Sequence, residues 1–265
     1  MRDVLPELMS IWRAGGTAGI ATVVRTLRSA PRPPGAVMMV APDGTVTGSV
    51  AVTDDTRGLL AAGRSGVLTY GPDGQRQDAG MEVFVAAHAP RPRMLVFGAI
   101  DFAAALACQG AFLGYRVTVC DARSVFAAPA RFPTADEVVV DWPDRYLAAQ
   151  AEQGAIDGRT VICVLTHDPK FDVPVLQVAL RLDVGYVGAM GSRQTHSDRL
   201  NRLREAGLTE AELSRLASPI GLDLGARTPE ETAVSIAAEI IARTWGGGRQ
   251  PLTGGDGRIH HDVPP

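Results

Sequence analysis

Apolar and polar positions change rhythm along this chain at about residue 90. Before it, one helical repeat (Val4, Leu8, Ile11, Trp12) precedes short β-branched runs such as Thr17 to Arg25. The dipeptides Asp43-Gly44 and Asp73-Gly74 mark turns between such runs. Pro31, Pro33 and Pro34 make Arg28 to Gly35 a rigid loop. After Ala89-Pro90-Arg91-Pro92-Arg93, which reads as a linker, short apolar strands alternate with amphipathic helices. The strands run Arg93 to Gly98, Arg116 to Cys120, Glu137 to Val140, Thr160 to Leu165 and Tyr186 to Met190. The helices run from about Ile100 to Leu113, Asp144 to Gln153, Val173 to Leu182 and Arg193 to Ala206. Thr209 with Glu212, and Thr228 with Pro229 and Glu231, are start signals for two more, to Leu216 and to about Thr244.

Apolar strands alternating with helices predict a parallel sheet covered on both faces. The expected fold class is therefore α/β: a Rossmann-like parallel-sheet domain over residues 94–245, preceded by a smaller α+β domain over residues 1–89. Residues 246–265, rich in glycine and polar groups, read as a flexible tail.

In such a sheet a ligand binds at the carboxyl ends of the strands, near the switch in strand order. Gly98 begins the first strand-to-helix turn, but the second glycine position of a dinucleotide fingerprint is Ile100 and the third is Ala103. The β-branched Ile100 takes space a pyrophosphate needs, and Asp101 brings a negative charge to the helix N-terminus. Bound NAD(P) in the usual pose is therefore disfavoured. Asp121 ends the second strand about 20 residues on, where an acid can hold a ribose 2′-hydroxyl; a capping or loop role fits it equally well. Cys120 lies beside it. Thr166-His167-Asp168 follows a third strand and offers hydrogen-bond groups and an imidazole, although Asp168 before Pro169 is also a natural helix cap. The turn Gly191-Ser192-Arg193, and the loop from Gly221 to Arg227, each set an arginine beside a helix start. They form the best anion-binding constellation in the sequence, with ordinary turn glycines as the alternative.

Composition narrows the classes. A formal net charge of −3 gives no nucleic-acid footprint. No apolar run is long enough to span a bilayer and the N-terminus does not resemble a signal peptide, so a cytoplasmic location without membrane attachment is expected. Cys108, Cys120 and Cys163 lack the spacing of a zinc site; Cys108 and Cys163 read as core. No nucleophile elbow, zincin or Walker motif is present, so no catalytic or metal-ligating residue is assigned.

Several motifs together resemble the xanthine dehydrogenase accessory factor (XdhC/CoxI) family. The likeness rests on Gly114-Tyr115-Arg116-Val117-Thr118-Val119 with Asp121, Arg131-Phe132-Pro133, Thr166-His167-Asp168, Gly188-Ala189-Met190-Gly191-Ser192-Arg193 and Thr228-Pro229-Glu230-Glu231-Thr232-Ala233. In the first ninety residues Thr22-Val23-Val24-Arg25-Thr26, Ser29-Ala30-Pro31-Arg32-Pro33-Pro34-Gly35 and Gly48-Ser49-Val50 match as well. Two segments depart: Ala51-Val52-Thr53-Asp54-Asp55-Thr56 and Asp78-Ala79-Gly80-Met81-Glu82 stand where the family usually carries cysteine motifs, leaving Cys120 as the cysteine placed to substitute. The resemblance implies a bacterial, non-catalytic chaperone that binds molybdenum cofactor (molybdopterin), works with a cysteine desulfurase, and delivers the cofactor to a molybdenum hydroxylase apoenzyme, often as a homodimer. The cofactor-contacting residues expected are Gly98, Cys120, Asp121, Thr166, His167, Asp168, Gly191, Ser192, Arg193 and Arg227. Two alternatives stand beside it: a degenerate scaffold or regulatory partner without cofactor, and an NAD(P)-dependent oxidoreductase.

Overall fold

A computed structural model describes residues 4–14, 16–26, 32–41, 44–48, 53–71 and 80–254. The Asp73-Gly74 turn, part of the proline-rich loop, Asp43, the Ser49-Val50 and Asp78-Ala79 positions and residues 255–265 of the tail lie outside them. The chain divides into two compact units, one ending at Pro90 and one beginning at Arg91.

The first unit is an antiparallel sheet of β1 (Ala18–Thr26), β2 (Val37–Val40), β3 (Val46–Gly48), β4 (Gly66–Tyr70) and β5 (Met81–His88), in the order β3-β2-β1-β5-β4. Side chains alternate between its faces. Ala18, Ile20, Val37 and Met39 pack with Val4 and Leu8 of the segment carrying α1 (Leu5–Arg13). Ala21, Val23, Met38 and Val40 form the other cluster, beside α2 (Thr53–Ala61). The apolar pattern predicts a single helix here. It misses α2 because the stretch has a polar first turn, Gly58 inside it and few inward apolar positions, too little for a periodic signal.

The second unit is a six-stranded parallel sheet: β6 (Arg93–Phe97), β7 (Arg116–Cys120), β8 (Glu137–Val139), β9 (Val161–Val164), β10 (Tyr186–Ala189) and β11 (Leu216–Ala217). The order β11-β10-β9-β6-β7-β8 is the doubly wound order, with its switch between β6 and β9. Helices α3 (Asp101–Phe112) and α8 (Pro229–Trp245) cover one face over a cluster that includes Met94, Val96, Leu106 and Ile236. Helices α4 (Pro143–Glu152), α5 (Pro169–Ala179), α6 (Arg193–Glu205) and the four-residue α7 (Glu210–Leu213) cover the other, over Leu95, Leu147, Val175, Leu176 and Leu203. Both faces being covered explains why these strands read as unbroken apolar runs.

The elements follow the predicted alternation, with two local differences. Helix α5 begins four residues earlier than expected, because Asp168 caps it and Pro169 fits its first turn. The helix opened by Thr209 stops at Leu213, and Leu216 instead joins the sheet edge as β11. Both capping boxes, at Thr209 and at Thr228, are formed. Among the described residues no helix is long and apolar enough to cross a membrane.

Candidate functional site

The carboxyl ends of β6, β7, β9 and β10 gather most of the residues singled out by sequence. Gly98 follows β6 at φ +106°, a conformation that favours glycine. A Cβ there would stand 2.7 Å from Thr166 Cγ2 and 2.8 Å from Thr166 N, so the loop leaving β9 lies directly against this turn. Thr166 is buried, and its Oγ1 has no hydrogen-bond partner.

Ile100 causes no backbone strain. It holds φ −90° and ψ 176°, ordinary extended values, and its half-buried side chain packs against the apolar cluster beneath α3. Asp101 stands in the first turn of α3, bringing its negative charge to the helix N-terminus as expected; its exposed carboxylate meets Arg131 Nη2 at 2.9 Å, while Arg131 Nη1 donates to the carbonyls of Ala99 and Phe126.

Asp121 spends its carboxylate inside the fold. It is 2% exposed, and both oxygens are used internally. Oδ2 accepts from Ala99 N at 2.9 Å and Arg123 Nη2 at 2.8 Å; Oδ1 accepts from Arg123 N and Nε, each at 2.9 Å. Burial works to raise its pKa, but the hydrogen bonds from the Arg123 side chain and from the two backbone amides outweigh it, and the carboxyl ends below its ordinary value. The capping-and-loop reading of Asp121 is thus the one this geometry displays: a carboxylate that ties β7 to the Gly98 turn.

Cys120 does not fit the role of substitute thiolate. It is buried among Leu95, Tyr146 and their neighbours, its Sγ donates to Asp141 O at 3.5 Å, and burial, with Asp141 and Asp121 nearby, pushes its thiol up to about 12. Cys163 is buried in β9, whereas Cys108, expected in the core, is exposed on α3. Among the described residues no cluster of His, Cys, Asp and Glu could hold a metal ion.

His167 is exposed and lines a small cavity. Asp168 caps α5, accepting from Lys170 N at 3.1 Å and pairing with Lys170 Nζ at 3.3 Å, so its carboxylate is committed to the helix start. Ser192 likewise caps α6 through Thr195 N at 3.1 Å, with Gly191 before it. Arg193 is exposed at the first helical position. At the second turn Glu231 takes the amides of Arg227 and Thr228 at 2.7 and 3.1 Å, so that helix N-terminus is satisfied from within.

Besides Arg193 and Arg227, two arginines that the sequence motifs did not single out border a cavity. Arg199 and Arg202 line a cavity of about 100 Å³ between α5 and α6, with His167, Asp172 and Thr195. Arg199 Nη2 pairs with Asp172 Oδ2 at 2.9 Å, both side chains buried. A signal for them existed: α5 buries Asp172 beside Phe171, Val175 and Leu176, and α6 buries Arg199 with Leu203, so two opposite charges sit on facing apolar stripes.

Fold and site together define a doubly wound, Rossmann-like domain whose Asp121 carboxylate is turned inward and whose strand-end edge borders a small polar cavity. The chain belongs to the XdhC and CoxI family: residues 11–71 match that family and residues 94–240 match the XdhC Rossmann domain. It is similar to the Escherichia coli uncharacterized protein YqeB, 29% identical over 238 residues, covering 84% of this chain and 42% of YqeB. A Bacillus subtilis protein named as a probable xanthine dehydrogenase component is 30% identical over 164 residues, 62% of this chain and 46% of that protein. The E. coli molybdenum cofactor insertion chaperone PaoD is 37% identical over 87 residues, 33% of this chain and 27% of PaoD. The chain thus matches less than half the length of these relatives. A Bacillus halodurans crystal structure described as a xanthine dehydrogenase shares the fold, with a TM-score of 0.52 and 20% identity over 96% of this chain and 98% of that one.

Proposed function

We infer that this chain is a maturation factor that binds molybdenum cofactor as cargo and hands it to a molybdenum hydroxylase apoenzyme. The observation that carries the reading is the division of the ligand edge. After β7, Asp121 is held by Ala99 and Arg123 within the fold, while a small cavity with charged walls lies between α5 and α6, beyond β9 and β10. Kinship with a protein named as a molybdenum cofactor insertion chaperone points the same way.

The donor set suits the organic part of such a cargo better than its metal. Cys120 is buried and protonated at neutral pH, and the described residues offer no metal cluster. Polar side chains that line the cavity, His167, Thr195, Asp198 and Arg202, would face the organic moiety. Holding cargo without metal–thiolate bonds suits a carrier that must release it.

Delivery is tested by incubating cofactor-loaded chain with cofactor-free xanthine dehydrogenase apoenzyme and following xanthine oxidation. Activation faster than with an equal amount of free cofactor is expected. Activation no faster than free cofactor would remove the delivery role.

A further inference from the structure

Helix α3 carries no charge beyond Asp101, and from Phe102 to Phe112 it is apolar apart from Gln109. A helix apolar on every side belongs inside a protein. Only one side of α3 is inside. Ala103, Leu106 and Ala107 are buried in the cluster beneath it, whereas Cys108 is exposed and Phe112 is 83% exposed.

Helix α8 has the same layout. Ala233, Ile236, Ala237 and Ile240 are buried. The opposite side carries Val234, Ala238, Ile241 and Trp245, with Val234 47% and Ile241 44% exposed. Gaps of four and three residues alternate along this row, the spacing of a helix–helix seam, and Asp101, Ala105, Cys108 and Phe112 repeat it on α3. The two helices pack side by side, so both rows lie on one outer face. At about 1.5 Å per residue and roughly 10 Å between axes, that face is about 25 Å by 20 Å. Its outline of roughly 500 Å², larger once projecting side chains are counted, suits one side of a standard interface of about 800 Å² per partner.

Covering this face strands no charge. Asp101 heads the α3 row and is paired with Arg131; Glu231 precedes Val234 and spends its carboxylate on the amides of Arg227 and Thr228. Beyond those two, neither row holds a charged residue. The relief also complements itself. Phe112, Val234 and Ile241 are large, while Ala105, Cys108 and Ala238 between them are small. A two-fold axis through the face sets the raised positions of one copy against the hollows of the other.

We propose that the outer face of α3 and α8 is an isologous docking surface and that its occupant is a second copy of this chain. The copies join on the sheet face opposite α5 and α6, so the cavity between those helices stays open in both. The assignment stands apart from the identity of the cargo.

Sedimentation velocity of the full chain over a dilution series tests it. The mass of two chains is expected at high concentration, with dissociation on dilution. Ile241→Glu and Phe112→Glu alter exposed side chains, so both should keep the wild-type circular dichroism spectrum. Each should raise the dissociation constant about thirtyfold or more, as loss of an interface anchor does. Val67→Glu, at an exposed position of β4, should leave it unchanged. Cys108 gives a second readout: its alkylation by iodoacetamide should slow as wild-type concentration rises through the association range, and keep one rate in Ile241→Glu. A chain that stays monomeric at every concentration, a dimer indifferent to both helix variants or split by Val67→Glu, or an alkylation rate independent of concentration overturns the proposal. A monomer whose Ile241→Glu variant fails to activate the apoenzyme also overturns it, and gives the face to the client.

Discussion

Removing the Asp121 carboxylate should loosen the turn between β6 and α3. In Asp121→Ala the buried Ala99 amide loses its acceptor, which costs about 1–3 kcal/mol. The Arg123 guanidinium loses both its contacts with the carboxylate, but its side chain is 41% exposed and turns to water, so the ion pair adds only about 1 kcal/mol. The sum, about 2–4 kcal/mol, lowers the melting temperature of a unit of this size by roughly 5–15 °C. Arg123→Ala should cost about 1 kcal/mol or less, since solvent replaces an exposed partner. Urea denaturation of the two single variants and the double variant measures both the costs and their coupling. The pH dependence has a definite sign. A carboxyl whose folded pKa lies below its unfolded value stabilises the fold above that unfolded value and loses the contribution as pH falls through the folded one. The gap between wild type and Asp121→Ala should therefore be constant from pH 7 to about 5 and shrink below about 4. A variant within about 0.5 kcal/mol of wild type would refute the reasoning, because it would mean the carboxylate ties nothing.

Three further outcomes are expected. Asp172 shifts the other way: burial raises it to about 6 against the pull of Arg199, so its contribution is present below the unfolded carboxylate value and lost as pH rises through about 6. Urea midpoints of wild type relative to Asp172→Asn should accordingly decline between pH 4 and 7, and a flat difference would contradict a burial-dominated shift. Gly98→Ala should destabilise by about 3 kcal/mol or more, because the left-handed backbone and the contact with Thr166 are both violated; a melting curve like that of wild type would show that the β9 loop yields freely. Iodoacetamide at pH 7.5 should label Cys108 in the native protein and Cys120 and Cys163 only after denaturation; native labelling of Cys120 would restore it as a thiolate candidate.

The parallel sheet was legible because its strands are buried on both faces and its helices carry strong start signals at Thr209 and Thr228. Gly98, Thr166 and His167 fall at the ligand edge because each follows the carboxyl end of a strand legible in the sequence. What the sequence could not show is where each carboxylate spends its hydrogen bonds. Asp121 stands where a ribose acid would, yet Arg123, two residues on, consumes it. Asp101 brings its charge to the start of α3, but its partner Arg131 lies thirty residues away in sequence. Asp172 and Arg199 are separated by 27 positions and meet only because α5 and α6 pack side by side. Pairings of that kind depend on tertiary placement, which periodicity does not encode.

The central claim is that this ligand edge carries molybdenum cofactor and has given up the dinucleotide. The direct measurement is the content of the full chain purified from a host that makes the cofactor: molybdenum by mass spectrometry, pterin by fluorescence after oxidation, and NAD(P)H by titration of the same sample. Pterin approaching one per chain, with no saturable NAD(P)H binding, is the predicted result. Stoichiometric NAD(P)H with no pterin would contradict it.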